Sequence, residues 1–119
     1  MAAPNIVNVA TITGKTVGAA LTTSSADIVT NSAASNKVFK VNAIYVANID
    51  GTNNADVTVG FFDASASATY RLAYTITVPA DATLDVLSKA IYLEEGDKIT
   101  ALASANGDLE IVVSFEEIS

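Results

Sequence analysis

Alternation with a period of two constrains this chain more than any other feature. In KVFKVNAIYVANI (37–49), Phe39, Val41, Ala43, Tyr45, Ala47 and Ile49 fall on one face of an extended backbone, opposite Lys40, Asn42 and Asn48. TYRLAYTITV (69–78) sets Tyr70, Leu72, Tyr74, Ile76 and Val78 against Arg71, Ala73, Thr75 and Thr77. DLEIVVSFEEIS (108–119) sets Leu109, Ile111, Val113 and Phe115 against Glu110, Val112, Ser114 and Glu116. Each segment is expected to be a long strand with one core side.

Shorter strands are expected in NIVNVATIT (5–13), AALTT (19–23), ADIVTN (26–31), DVTVGFF (56–62), LDVLS (84–88) and KITALASA (98–105). No segment keeps a helical apolar stripe over ten residues, and the β-branched Val, Ile and Thr favour pleated surfaces. The chain therefore reads as all-β with about eight strands. The connections DGTNNAD (50–56), DASAS (63–67), PADAT (79–83), EEGD (94–97) and ANGD (105–108) are short, which implies antiparallel neighbours, and Asn106–Gly107 is a strong hairpin signal. Phe61 beside Phe62 and Val112 beside Val113 make strands apolar on both sides. An antiparallel two-sheet β-sandwich, jelly-roll-like in its connections, accommodates that pattern.

At 119 residues the chain is expected to be a single β-sandwich domain spanning 1–119, with residues 1–5, MAAPN, as a flexible N-terminal arm. Half of its residues are hydrophobic and 16% are charged, which excludes a disordered chain. TTSSADIVTNSAASNK (22–37) reads as a loop carrying one short strand, with a partner-binding loop as the alternative. No apolar run approaches the roughly 20 residues that cross a bilayer, and the N-terminus lacks the pattern of a signal peptide, so a soluble, unexported product is expected.

The net charge of −7 is uneven. Residues 1–80 hold four acids and four bases, whereas residues 81–119 hold nine acids and two bases. Such a surface repels phosphate backbones and anionic lipid, so neither nucleic acid nor membrane is an expected partner. The acidic third is expected to keep one face of the subunit wet while the neutral remainder packs on neighbours, with Glu110, Glu116 and Glu117 dispensable for folding.

The chain has no His, Cys or Trp. That removes Ser-His-Asp and Cys-His machinery, thiolate and histidine metal sites, and the aromatic ring most used to stack sugars. Two-carboxylate hydrolysis needs only paired acids, and Glu94, Glu95 and Asp97 are its candidates. Glu94 and Glu95 are adjacent, so in extended backbone they point to opposite faces. Gly96 supplies the positive φ of a tight turn and Asp97 can accept backbone amides within it, so LEEGDKI reads as a turn whose charges belong to solvent. Asp50, Asn53, Asn54 and Asp56 offer hard oxygens to calcium, but their spacing matches no complete calcium loop and the turn lies between strands. TGKT (13–16) lacks the upstream glycine and following helix of a phosphate-binding loop. Tyr45, Tyr70 and Tyr74 fall on core faces by alternation, which leaves Tyr92 as the one open aromatic. No catalytic, cofactor-binding or metal-binding residue is assigned, no cofactor is expected, and the chain is not expected to be an enzyme.

The pieces VFKVNAIYVANIDGTNNADVTVGFFD and TITVPADATLDVLSKAIYLEEGDKITALASANGDLEIVVSFEEIS follow one another in an order that resembles small virion structural proteins of tailed bacteriophages, especially those of aquatic bacteria. The shared features are IYVANID, VPADATL, YLEEGDKI and VSFEEI, within residues 9–119. The resemblance implies a non-enzymatic β-sandwich, made in the host cytoplasm and carried in the virion. A capsid decoration or cement protein that binds the major capsid protein between capsomers is expected first, a neck, collar or tail component next. A receptor- or carbohydrate-binding sandwich is the alternative of a different class. Independently, Ile44, Val46, Phe62, Leu87, Leu102 and Val112 lie opposite the core series, more apolar surface than a monomer tolerates, so a homo-oligomer, a trimer before others, is expected.

Overall fold

The computed structural model describes residues 10–119, so the expected arm and most of NIVNVATIT lie outside the described residues. Among the described residues the chain forms nine strands and no helix: β1 (Ile12–Ala20), β2 (Ala26–Thr30), β3 (Val38–Asn48), β4 (Ala55–Asp63), β5 (Ala68–Val78), β6 (Thr83–Asp85), β7 (Ile91–Leu93), β8 (Lys98–Ala103) and β9 (Leu109–Ile118). They build two antiparallel sheets. Sheet A runs β1-β9-β3-β6, with β7 also paired to β3, and sheet B runs β2-β8-β4-β5. The result is a β-sandwich, as the alternation requires. TGKT lies inside β1, one strand that spans the gap between the expected strands NIVNVATIT and AALTT.

The inner faces meet in a dry core. Val41, Ile44, Val46, Ile111 and Val113 from sheet A face Val57, Val59 and Ile99 from sheet B, all fully buried. Each such side chain contributes roughly 1.5–3 kcal/mol by leaving water. Phe39 and Phe115 stack near one end with ring centres 5.2 Å apart.

Strand β9 keeps its alternation from Leu109 to Phe115, and Leu109, Ile111, Val113 and Phe115 are buried as its pattern requires. In β3 the alternation breaks. Val41 pairs with Phe115 and Ala43 with Ser114, leaving Asn42 as an extra residue with no partner of its own. Beyond this bulge every side chain changes face. Ile44 and Val46 enter the core, whereas Tyr45 and Ile49 are 43% and 56% exposed, the reverse of the expected assignment.

In β5 the register slips twice against β4, at Leu72 and at Tyr74–Thr75, where Thr75 takes φ +48°. Ala73 is thereby turned into the core and Tyr74 out of it, again opposite to the alternation. Tyr70 and Ile76 keep core-side partners, Phe61 and Val57, yet remain exposed because β5 is the sheet's edge.

The short connections also behave differently from expectation. Only β4–β5, through DASAS, is a hairpin. EEGD joins β7 in sheet A to β8 in sheet B, and ANGD joins β8 to β9 across the sandwich. Gly107 has the positive φ that the Asn-Gly signal promised, +80°. Its amide donates to Leu21 O and Asn106 Oδ1 accepts from the Thr23 amide, so the turn is stitched to the β1–β2 connection instead of closing a hairpin.

Candidate interaction surface

The acidic and amide side chains that looked most like chemistry hold turns together. Asp97 is buried, 3% exposed, which corrects its expected solvation. Its Oδ2 accepts the Glu94 amide at 2.9 Å, and its Oδ1 accepts the Ala64 amide from the β4–β5 turn at 3.0 Å. Glu95 Oε2 accepts the Asn36 amide at 3.0 Å. Beside them Asn31, fully buried, donates through Nδ2 to Lys37 O and Leu93 O. Three connections are thus locked into one end of the sandwich.

At the other end Asn48, 3% exposed, donates to Asn53 O and Val78 O. Asp50 Oδ1 accepts the Thr52 amide, at 2.8 Å, and the Asn53 amide, and these backbone bonds hold its carboxyl below its ordinary range. Asn54 Oδ1 accepts the Ala80 amide and Asp56 Oδ1 accepts the Thr77 hydroxyl. The four oxygen-bearing residues considered for calcium are each engaged with the chain. Among the described residues no three acids lie close enough to share an ion.

Glu117 sits at the open end of the inner face. It accepts from Lys15 Nζ and Lys37 Nζ, each at 2.9 Å. The Lys15 hydrogen bond first, then that of Lys37, draws its carboxyl below the ordinary value, against the opposing effect of burial. The acids clustered in sequence are dispersed in space. Because β9 lies between β1 and β3, Glu110 and Glu116 sit on the outer face of sheet A beside Ala47 and Lys40, whereas Glu94 and Asp97 cap one end and Asp108 the other. Asp85, opposite Tyr45, joins Glu110 and Glu116, so the outer face of sheet A holds three of the nine acids.

What the fold leaves open is two outer faces of different chemistry. On sheet A, Gly18, Val112, Tyr45 and Asp85 form one continuous row across four strands. Directly opposed side chains in such a row touch. Val112, Tyr45 and Tyr92 are 40%, 43% and 44% exposed. The bare Gly18 beside Val112 leaves a shallow hollow of about 310 Å³, floored by Ala20, Glu110 and Ile111. Of the aromatics set aside as core, Tyr45 therefore joins Tyr92 on this surface. Only the bulge, which has no mark in the sequence, separates the two readings.

On sheet B the outer face carries hydroxyls. Thr58, Thr69 and Thr100 surround Gly60, where an added Cβ would stand 2.7 Å from Thr69 Cγ2 and 2.8 Å from Thr100 Oγ1. Arg71 borders this hollow of about 180 Å³ and lies 5.9 Å from the ring centre of Tyr74. Phe62 is covered by Lys98 Nζ at 5.4 Å, itself paired to Asp27.

The fold has counterparts among solved structures. The chain is similar to one in the capsid structure of Helicobacter pylori bacteriophage KHP30, with a TM-score of 0.55 and 11% identity over 94% of this chain and 90% of that one. It is also similar to a chain of the Bacillus endospore appendages, a family of disulfide-linked pili, with a TM-score of 0.53 and 17% identity over 91% of this chain and 87% of that one. At these identities the likeness is one of fold. No protein-family model matches the chain, and neither does any curated protein.

Proposed function

We propose that this chain is a non-enzymatic structural protein of a bacteriophage virion, and within that class a capsid decoration or cement protein that binds the shell between capsomers. The observation that carries the reading is the outer face of sheet A, where Val112 and Tyr45 stand exposed on a bulge-set row beside bare Gly18, with Tyr92 exposed on the same face opposite Lys40. Such a face suits contact with a protein surface. The polar groups that resemble catalytic or metal-binding sets are meanwhile occupied in holding turns.

Two further considerations support it. The strand order β1-β9-β3-β6 over β2-β8-β4-β5, with β6 and β7 sharing one place, supports reading the sandwich as an eight-strand jelly roll, an architecture used by viral capsid domains. The fold likeness to a phage capsid chain points the same way. The likeness to the disulfide-linked pili does not extend to their linkage, since this chain has no cysteine. The partners under this reading are the major capsid protein or a neighbouring virion protein, and further copies of the chain.

Purified protein added to particles that lack it tests the reading. Co-sedimentation, with ordered density at capsomer junctions by electron cryo-microscopy, is the expected result. Tyr45→Lys combined with Val112→Lys should abolish it at unchanged melting temperature. Density confined to the neck or tail would move the assignment there. A second reading rests on Tyr74, 64% exposed beside Arg71, as a sugar-stacking platform on a receptor-binding sandwich. Specific glycan-array binding lost in Tyr74→Ala, without particle association, would favour it over the first.

A further inference from the structure

A sheet edge exposes unpaired amides and carbonyls, and proteins blunt such edges with bulges, short strands or charge. Three of the four edges here are blunted. β2 has five residues, a bulge at Ile28 and the Asp27–Lys98 ion pair. β5 carries two register shifts and the positive φ of Thr75. The far edge of sheet A is divided into β6 and β7, three residues each. β1 has neither a bulge nor a break, and its one charge, Lys15, is drawn to Glu117 at 2.9 Å. Its nine residues pair with β9 in unbroken register from Ile12–Ile118 to Ala20–Glu110.

The hydrogen bonding shows which groups β1 leaves unused. Thr11 and Ser119 exchange both backbone bonds, at 3.0 and 2.9 Å, and the Leu21 amide donates to Leu109 O at 2.8 Å. Alternate pairs in an antiparallel ladder are bonded, so the odd-numbered residues from 11 to 21 bond to β9. Ile12, Gly14, Thr16, Gly18 and Ala20 point their amides and carbonyls away from it, and among the described residues no other strand pairs with that edge. None of the five is charged or proline.

We infer that β1 is a self-pairing edge, through which two copies of the chain join antiparallel about a twofold axis at Thr16. This deepens the structural-protein reading above and rests on it only for its biological setting. In that register Ile12 meets the partner's Ala20, Gly14 meets the partner's Gly18, and Thr16 meets its own symmetry mate. Every outward-facing residue meets another outward-facing residue over the whole strand, roughly 30 Å at about 3.4 Å per residue. Inner and outer faces stay aligned, so the two copies of sheet A become one continuous sheet.

The side chains select a second copy as the occupant. Ile12 is 55% exposed at one end of the outer face of β1, and the hollow over Gly18, Ala20 and Val112 lies at the other end of the same face. The twofold axis sets each partner's Ile12 directly opposite Ala20 and diagonal to Gly18, at the hollow's rim. Lys15, the single charge on the strand, falls opposite the partner's Val17 while its ammonium stays with Glu117. Centring the pair on Lys15 would instead set two ammonium stems face to face. An isologous contact closes on itself, so this edge specifies a dimer and not the trimer expected from the sequence.

Sedimentation velocity of the full chain across a concentration series tests the pairing. The wild type should run at twice the 12.2 kDa of one chain. Thr16→Lys and Thr16→Glu should each run as monomers, because like charges would be directly opposed at the axis, with unchanged circular dichroism. Their equimolar mixture should recover the dimer, which loss of folding in either variant would prevent. Amide exchange at Gly14, Thr16 and Gly18 should slow as wild-type concentration rises. A wild type that stays monomeric at about 100 µM, or an oligomer indifferent to both variants, overturns the inference. A monomer that still joins particles would defeat the pairing alone, and a dimer that joins none would defeat the virion reading alone.

Discussion

Asp97 accepts the backbone amide of Ala64 at 3.0 Å, across 33 residues of sequence, and so ties the β7–β8 turn to the β4–β5 hairpin. Its other oxygen is committed to the Glu94 amide. Replacing it by Asn turns an NH₂ toward one of two part-buried N–H groups, and a donor left unsatisfied there costs about 1–3 kcal/mol. Asp97→Asn is therefore expected to lose that much stability in denaturant titration. Glu94→Gln, which removes no hydrogen bond assigned to that side chain, should stay within about 0.5 kcal/mol of wild type.

Acid should weaken the fold partly through Glu117. Its carboxyl titrates below the ordinary 4.5 in the folded chain because Lys15 and Lys37 donate to it. A depressed folded value means the contribution is fully present above the unfolded value and disappears as pH falls through the folded one. Both lysines are substantially exposed, so the pair contributes roughly 0.5–1 kcal/mol at neutral pH. Glu117→Gln should cost that amount at pH 7 and nothing at pH 2, measured by urea unfolding at each pH. This residue, grouped in the sequence with acids dispensable for folding, is thus expected to carry a modest structural role.

Gly96 has φ +91°, and a Cβ placed there would lie 2.8 Å from the Cβ of Ala64. A methyl has no rotamer by which to withdraw, and the left-handed backbone adds its own strain. Gly96→Ala should destabilise by about 1–3 kcal/mol. Gly14→Ala is the comparison, since nothing stands within 4 Å of its Cβ position on β1. It should be neutral or slightly stabilising in the same thermal melts.

The readable and unreadable parts of the fold separate along physical lines. Leu109 to Phe115 could be assigned to the core from alternation because β9 pairs without interruption on both sides. Tyr45 could not, because the extra residue Asn42 is neither Gly nor Pro and exists only relative to the number of residues in β9. The same holds for Leu72 against β4. Asn106–Gly107 announces a turn truthfully, but local chemistry does not say which sheet receives the next strand. Thr23 and Leu21, more than 80 residues earlier, take part in that decision. Asp97 looked solvated because its burial depends on Ala64, a neighbour only in space.

The bulge at Asn42 makes the sharpest mutational contrast. Simple alternation places Ile49 inside and Ile44 outside, whereas the extra residue exchanges them: Ile44 is fully buried against Val113, its partner on β9, and Ile49 is 56% exposed. Truncating a fully buried Ile to Ala removes its transfer free energy and leaves a cavity, about 2–5 kcal/mol together. The same change at an exposed site moves stability by about 0.5 kcal/mol or less. Ile44→Ala should therefore shift the denaturation midpoint far more than Ile49→Ala, in chains otherwise identical. Equal effects, or the reverse order, would mean that β3 pairs without the bulge, and the row that exposes Tyr45 beside Val112 would dissolve with it.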